Sequence, residues 1–237
     1  MEITIREAIV SVGIIALFIF LGVWISSSAF SDDRLVAYET AHVLTTESLY
    51  QHATKTNLNN TLSYGELAAV HPVSDDMIDG QYMAIDRVEE HYTMKTRMVS
   101  YSCGTDNKDT CWTTEIYWEW DVVASVNTAT DEVMFLGSTL PYGRVSSLPK
   151  HHHSTVEGGD HQRFEFYVLE TSLMTSIYES SMGDDLALYP HTEPQAVIDN
   201  IEGSLRDGRI KMWIALTIIT IETILVFFYA DNHWLES

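Results

Sequence analysis

Two long apolar runs frame this chain. Ala8 to Ile25 and Met212 to Tyr229 each extend about 18 residues, roughly what a helix needs to cross the hydrocarbon core of a bilayer. The first carries no charge and closes near Trp24, a residue type of membrane interfaces. The second opens at Trp213, ends on Phe227, Phe228 and Tyr229, and contains one carboxylate, Glu222. Between them the period changes. In QRFEFYVLE, Phe164, Phe166 and Val168 alternate with Glu165 and Tyr167, the two-residue repeat of a half-buried strand. Strands are predicted at Gly80 to Val88, in YTMKTRMVSY and WTTEIYWEWDVVASV, at Glu132 to Leu140 and at Gln162 to Glu170. The run DDRLVAYETAHVLTTESLYQHA, residues 32–53, reads as helix. Thr192 and Pro194 suit the cap and first turn of a last helix, with Gly203 and Gly208 loosening its junction to the second apolar run. The pattern predicts an α+β chain: a membrane anchor at 1–30, a β-rich, largely antiparallel domain at 31–205, and a second anchor with a short tail at 206–237.

Each anchor has a competing reading. Arg6 before an apolar run, with Ser27, Ser28 and Ala29 after it, also fits a cleaved signal peptide, although the run exceeds the usual length. The second run could be a buried core helix, but its aromatic borders favour a span.

The only two cysteines, Cys103 and Cys111, bracket a turn-forming Asp106-Asn107-Lys108-Asp109 segment. Pairing them directly sets an antiparallel register that places Met94, Thr96, Met98 and Ser100 across from Trp120, Trp118, Ile116 and Thr114. Lys95, Arg97, Glu115 and Glu119 then share the other face, so one side reads as core and the other as solvated. Trp112, Tyr117, Trp118 and Trp120 could form a stacking site for carbohydrate, but the register assigns Trp118 and Trp120 to core packing. A zinc site lacks a second pair of ligands. A disulfide is therefore expected, and disulfides persist in oxidising compartments.

Charge narrows the partners. The 237 residues carry a net charge of −21, which disfavours nucleic acid and anionic surfaces. Only 13 Lys and Arg stand against 34 Asp and Glu, a balance seen in salt-adapted proteins, although the Ile and Met content does not fit an extreme halophile. Orientation is contested: Arg34, Arg206, Arg209 and Lys211 on the domain side argue for a cytoplasmic domain, whereas long loops translocate regardless of charge. Arg6 before the first span and Asp32 and Asp33 after it favour translocation, and the expected disulfide decides for a domain outside with both termini inside.

Little in the chain suggests catalysis. Glu222 falls roughly 15 Å into the bilayer, where a carboxylate marks an ion path, a proton site or a polar contact between helices. Thr217, Thr220 and Thr223 could partner it, and Ser11, Gly13 and Ala16 would let the first helix approach closely enough to receive it. His151, His153 and His161, with His152, Glu157 and Asp160, are of metal-ligating type, but adjacent histidines converge poorly and a solvated loop is the simpler expectation. No GxSxG, P-loop, GxGxxG or HExxH pattern occurs, so no cofactor is expected and the chain leans away from enzymes. Asn59-Asn60-Thr61 is a glycosylation sequon, relevant only in a eukaryotic secretory pathway.

The segments EEHYTM, YWEWD, MFLG and the closing YADNHWLES resemble a pattern in small two-span membrane proteins of bacterial phages and integrated mobile elements. The resemblance covers a minor part of the chain and implies a span at each end around a β-rich middle, with no activity or catalytic residue attached. The cysteine pair and strong acidity depart from it. Three readings follow. The first is a double-anchored protein whose domain mediates contacts with other envelope proteins or with its own copies, as a virion component or host-envelope factor if viral. The second is an accessory subunit of a transport or energy-converting complex using Glu222. The third is a metal-dependent envelope enzyme.

Overall fold

A computed structural model describes residues 5–30, 33–56, 58, 60–103, 109–180 and 186–235. Asp32, Asn59 and the Asp106-Asn107-Lys108 turn lie outside these residues. In chain order the elements are α1 (Ile5–Ala29), α2 (Asp33–Glu39), β1 (His42–Leu44), α3 (Glu47–Thr56), β2 (Thr61–Ala69), β3 (Val73–Asp75), β4 (Ile78–Cys103) and β5 (Asp109–Ala129). There follow β6 (Glu132–Phe135), β7 (Ser138–Pro141), β8 (His151–Gly159), β9 (Gln162–Glu170), β10 (Ser172–Glu179), β11 (Leu186–Pro190) and α4 (Pro194–Leu235).

The first and last helices are long and apolar enough to cross a membrane, and they pack against each other in opposite directions. Their contact is built on two glycines of α1 and α4. Gly22 is buried beneath the Trp213 indole and Leu216, and Gly208 receives the ring of Phe30. Arg209 Nη2 donates to the Phe30 carbonyl at 2.7 Å, supplying a partner just beyond the C-terminus of α1, where helical carbonyls have none of their own. α4 runs unbroken for 42 residues, so the expected loosening at Gly203 and Gly208 does not occur and the boundary at 205/206 falls inside one helix. The expected cap is also different: the Thr192 hydroxyl donates back to Pro190 O at 2.9 Å, and Pro194 opens the helix where its missing N–H costs nothing.

Between the helices stand two sheets. One has the order β11-β10-β2-β6-β7 with β1 parallel to β2; the other has the order β3-β4-β9-β8 with β5 on β4. Four stretches of chain pass from one sheet to the other: β2 into β3 through Val70, β5 into β6 at Thr130 and Asp131, β7 into β8 through residues 142–150, and β9 into β10 at Thr171. Cross-links hold these corners, with Ala69 N donating to Thr171 O at 2.8 Å and Thr130 N to Met83 O at 2.9 Å.

The main core lies where these corners meet α3. Leu67, Val133, Phe135 and Ile177 pack with Met83, Ala84 and Leu169 under Tyr50 and Ala53. A second cluster of Tyr38, Leu62, Tyr178 and Val197 joins the first sheet to α2 and the start of α4. There Tyr38 stacks on Tyr178 with ring centres 3.9 Å apart, and its hydroxyl meets that of Tyr189 at 2.7 Å. Val197 therefore ties the helix that enters the second apolar run directly to the sheet.

The chain is α+β as expected, and β9 coincides with the strand expected at Gln162 to Glu170. Two expectations change. Residues 32–53 break into α2, β1 and α3, because Leu44 turns inward on a strand paired with β2 and the adjacent β-branched Val43, Thr45 and Thr46 favour extended backbone. Glu132 to Leu140 is two short strands, folded back at Leu136 and Gly137, whose φ values of 44° and 70° form a tight hairpin turn.

Candidate functional site

β4 and β5 outrun the rest of their sheet. β9 pairs with β4 only from Tyr82 to His91, and the last link is Tyr92 N to His161 O at 2.8 Å. Beyond it, Tyr92 to Cys103 and Asp109 to Trp120 continue as a two-stranded ribbon, roughly 40 Å long at the rise of extended chain. The outer edge of β5 pairs with no described strand. Edge charges at Glu115, Glu119 and Asp121, and a bulge at Val123, guard it against indiscriminate pairing.

Cys103 and Cys111 form a disulfide with Cα atoms 5.9 Å apart, within the usual span. The register differs by two residues from a directly opposed pair: Cys103 faces Asp109 and Cys111 faces Tyr101, so the bond runs diagonally across the ribbon. A slip of two preserves the side-chain alternation, and the expected composition of each face survives.

What changes is the burial. The face of Tyr92, Met94, Thr96, Met98 and Ser100, with Trp112, Thr114, Ile116, Trp118 and Trp120, carries no charge, yet it is not core. Met94 is 57% exposed, Met98 69%, Trp112 63%, Ile116 60% and Trp118 47%. Core packing therefore fails as the reason for Trp118, and for Trp112 beside it, and Trp120 is only half-buried, because no described third strand or helix covers this face. At the root of this face Tyr92 stacks on Trp118 at 5.4 Å and on His161 at 6.1 Å, and the Arg163 guanidinium lies over Trp120 at 4.3 Å. Arg163 is in turn held by Glu90 at 2.7 Å and Glu165 at 3.1 Å.

The opposite face is a charge ladder. Lys95 bonds Asp121 and Glu119, Thr93 also donates to Asp121, and Arg97 Nε donates to Glu115 at 2.7 Å. The Lys95 ammonium and the Thr93 hydroxyl hold the Asp121 carboxyl below its ordinary range. Hydrogen bonds from His91 and Gln162 do the same for Glu89.

The histidines do not assemble. His151 to His153 lie on strand β8 rather than in a loop, because this segment supplies the edge partner of β9. His153 meets the Tyr82 hydroxyl at 3.1 Å, His152 packs edge-on against Tyr167, and His161 stacks over Tyr92 and Trp118. Among the described residues no three His, Cys, Asp or Glu side chains are placed to hold a metal ion.

Glu222 is exposed on α4. The helices touch at Gly22 and Trp213, and nothing approaches the open side of Gly13. The Thr217, Thr220 and Thr223 hydroxyls donate to the carbonyls one turn back on their own helix.

Sequence reasoning missed the projection of the ribbon. The signal was available in strand length: β4 and β5 have 26 and 21 residues, while the longest other strands have 9, too short to cover them. Compared with known proteins, the chain matches no family model, no curated protein and no solved structure.

Proposed function

We propose that this chain is a double-anchored membrane protein whose outward-facing domain makes protein contacts through the ribbon, and that the partner on the uncharged face is a second copy of the chain. α1 and α4 cross one bilayer as an antiparallel pair, with both termini on the inner side. The observation that carries this reading is the exposed apolar face of Met94, Met98, Trp112, Ile116 and Trp118.

Charge selects the occupant. A chain of net charge −21 repels its own copies over most of its surface, but the stretch from Met94 to Met98 and Trp112 to Trp118 on this face holds no charge, so two such faces meet with the least repulsion. At about 200 Å² per large side chain, half to two-thirds of it uncovered, the five residues offer roughly 600 Å² per copy, and two copies reach the low end of stable interfaces. The disulfide supports an oxidising location for the domain.

Light scattering on the full chain in mild detergent tests this. A dimeric protein mass is expected, becoming monomeric in Met98→Glu, a substitution at a 69% exposed side chain, with the chain still folded by circular dichroism. A monomeric parent chain, a dimer indifferent to that substitution, or a stoichiometric foreign protein on the ribbon would each overturn the homotypic assignment. Thiol labelling of intact cells tests orientation: cysteines that react without prior reduction, and only after the inner membrane is opened, would reverse it.

A second reading, an accessory subunit of a membrane transport or energy-converting complex, is favoured by the exposure of Glu222 on α4, where a neighbouring subunit would meet it.

A further inference from the structure

Cations are few in this acidic chain, and three of them stand together on α4. Of 13 Lys and Arg, three, Arg206, Arg209 and Lys211, fall in the last two turns of α4 before the apolar run that opens at Met212. Arg206 and Arg209 line a cleft of about 440 Å³ between α2 and α4. Its wall on the side of the span is Ile210 and Trp213, Leu35 faces them from α2, and Glu202 closes the end toward the domain. Arg206 is exposed and bonds to no described residue, whereas Arg209 is oriented by its bond to Phe30 O.

The chemistry is ordered along the helix. Moving outward from the span, α4 presents an apolar wall, then two guanidiniums, then a carboxylate one turn further, about 6 Å along the axis. An aminophospholipid is ordered in the same way: acyl chains, phosphate, then a primary ammonium two carbons beyond. We propose that this cleft binds the headgroup of a bilayer lipid of the phosphatidylethanolamine type, its phosphate on Arg206 and Arg209 and its ammonium on Glu202. Guanidinium pairs with phosphate in a fork, and a primary ammonium donates hydrogen bonds to a carboxylate that a quaternary one cannot. Glu202 is the selective element, since a site built only to attract anions would not carry it.

The proposal rests on the reading that α4 enters the bilayer at Met212. It also accounts for cations on the domain side of a translocated domain: they serve a ligand there, and basic pockets beside membrane helices are suited to headgroups.

The test uses the full chain in mild detergent, stripped of lipid and titrated with phosphatidylethanolamine, phosphatidylcholine, phosphatidylglycerol or inorganic phosphate, with bound species counted by native mass spectrometry. One phosphatidylethanolamine is expected, held at least tenfold more tightly than phosphatidylcholine. Arg206→Gln should weaken all three lipids at least tenfold, and Glu202→Gln should erase the preference for ethanolamine over choline while leaving the phosphate contact. Equal retention of the two lipids, a stronger hold on phosphatidylglycerol, displacement of the lipid by equimolar inorganic phosphate, or a preference that survives Glu202→Gln would overturn the assignment. If Arg206→Gln misfolds, the Glu202→Gln comparison decides alone. An alkaline wash separates the two levels: release of the chain from membranes sinks the spanning reading, whereas retention without lipid preference sinks only the headgroup site.

Discussion

Gly22 of α1 lies directly beneath the indole of Trp213 on α4, so close that a methyl group added at Gly22 would stand 2.6 Å from Trp213 Cη2. The two apolar helices are thereby registered at one level near their domain ends, and Trp24, 62% exposed, sits within about a turn of the same level. The pair of tryptophans marks where an aromatic belt would meet the membrane interface.

Enlarging this contact should separate the helices. Gly22→Val is expected to cost about 1–3 kcal/mol, the range for overpacking a close contact. Gly13→Val, in open space, should leave stability unchanged. Thermal unfolding in detergent, followed by tryptophan fluorescence, compares them; equal melting temperatures would refute the role of Gly22.

Reduction should act locally. The Cys103–Cys111 bond closes a short loop, worth about 2–3 kcal/mol in the chain-entropy model. It pins a ribbon that lacks a third strand, and isolated two-stranded hairpins are marginal. In Cys103→Ser with Cys111→Ser, amide exchange should accelerate across residues 92–120 while Leu67, Val133 and Phe135 keep their protection. Uniform loss through the domain would contradict this division.

Acid should loosen the same ribbon. Asp121 and Glu89 have carboxyls held below their ordinary range in the fold, by Lys95 with Thr93 and by His91 with Gln162 respectively. A depressed folded pKa means the contribution is full above the unfolded value, about 4, and disappears as pH falls through the folded one. Ribbon protection at pH 7 should therefore exceed that at pH 3. Asp121→Asn should lower it at pH 7 and shrink the difference; an unchanged acid response in that variant would remove Asp121 from the explanation.

Glu222 separates the two proposed functions. Glu222→Gln retains hydrogen bonding and removes the titrating group, so a contact protein should keep its dimer mass and membrane insertion. A proton-coupled subunit would lose pH-driven transport in reconstituted vesicles. Loss of transport with assembly intact would establish the second reading over the first.

How legible was this in the sequence? Period and length sufficed for the two apolar helices, for β9 and for the alternation along β4 and β5, because these depend on local side-chain order. The diagonal disulfide preserved face composition, so a register error of two left the chemistry of each face correct. Exposure was not legible: the same alternation of Met94, Met98, Ile116 and Trp118 describes a buried face and a bare one, and only the lengths of other strands decide between them. The cleft at Arg206 and Glu202 needed α2 beside α4, and that juxtaposition depends on Tyr38 stacking against Tyr178, residues far apart in sequence.

The strand order of the first sheet also constrains biogenesis. β2, an early strand, sits between β10 and β6 and pairs with β10 from Thr61 to Ala68, so this sheet stays open until the chain has been made almost to α4. The ribbon of β4 and β5 needs only neighbouring sequence and can close, and oxidise, much sooner. Its bare apolar face is thus presented in a half-made protein, while α1 waits without the helix that will cover Gly22. Assembly is thereby ordered in time: the ribbon, with the face proposed to meet a second copy, is complete before α4 covers Gly22.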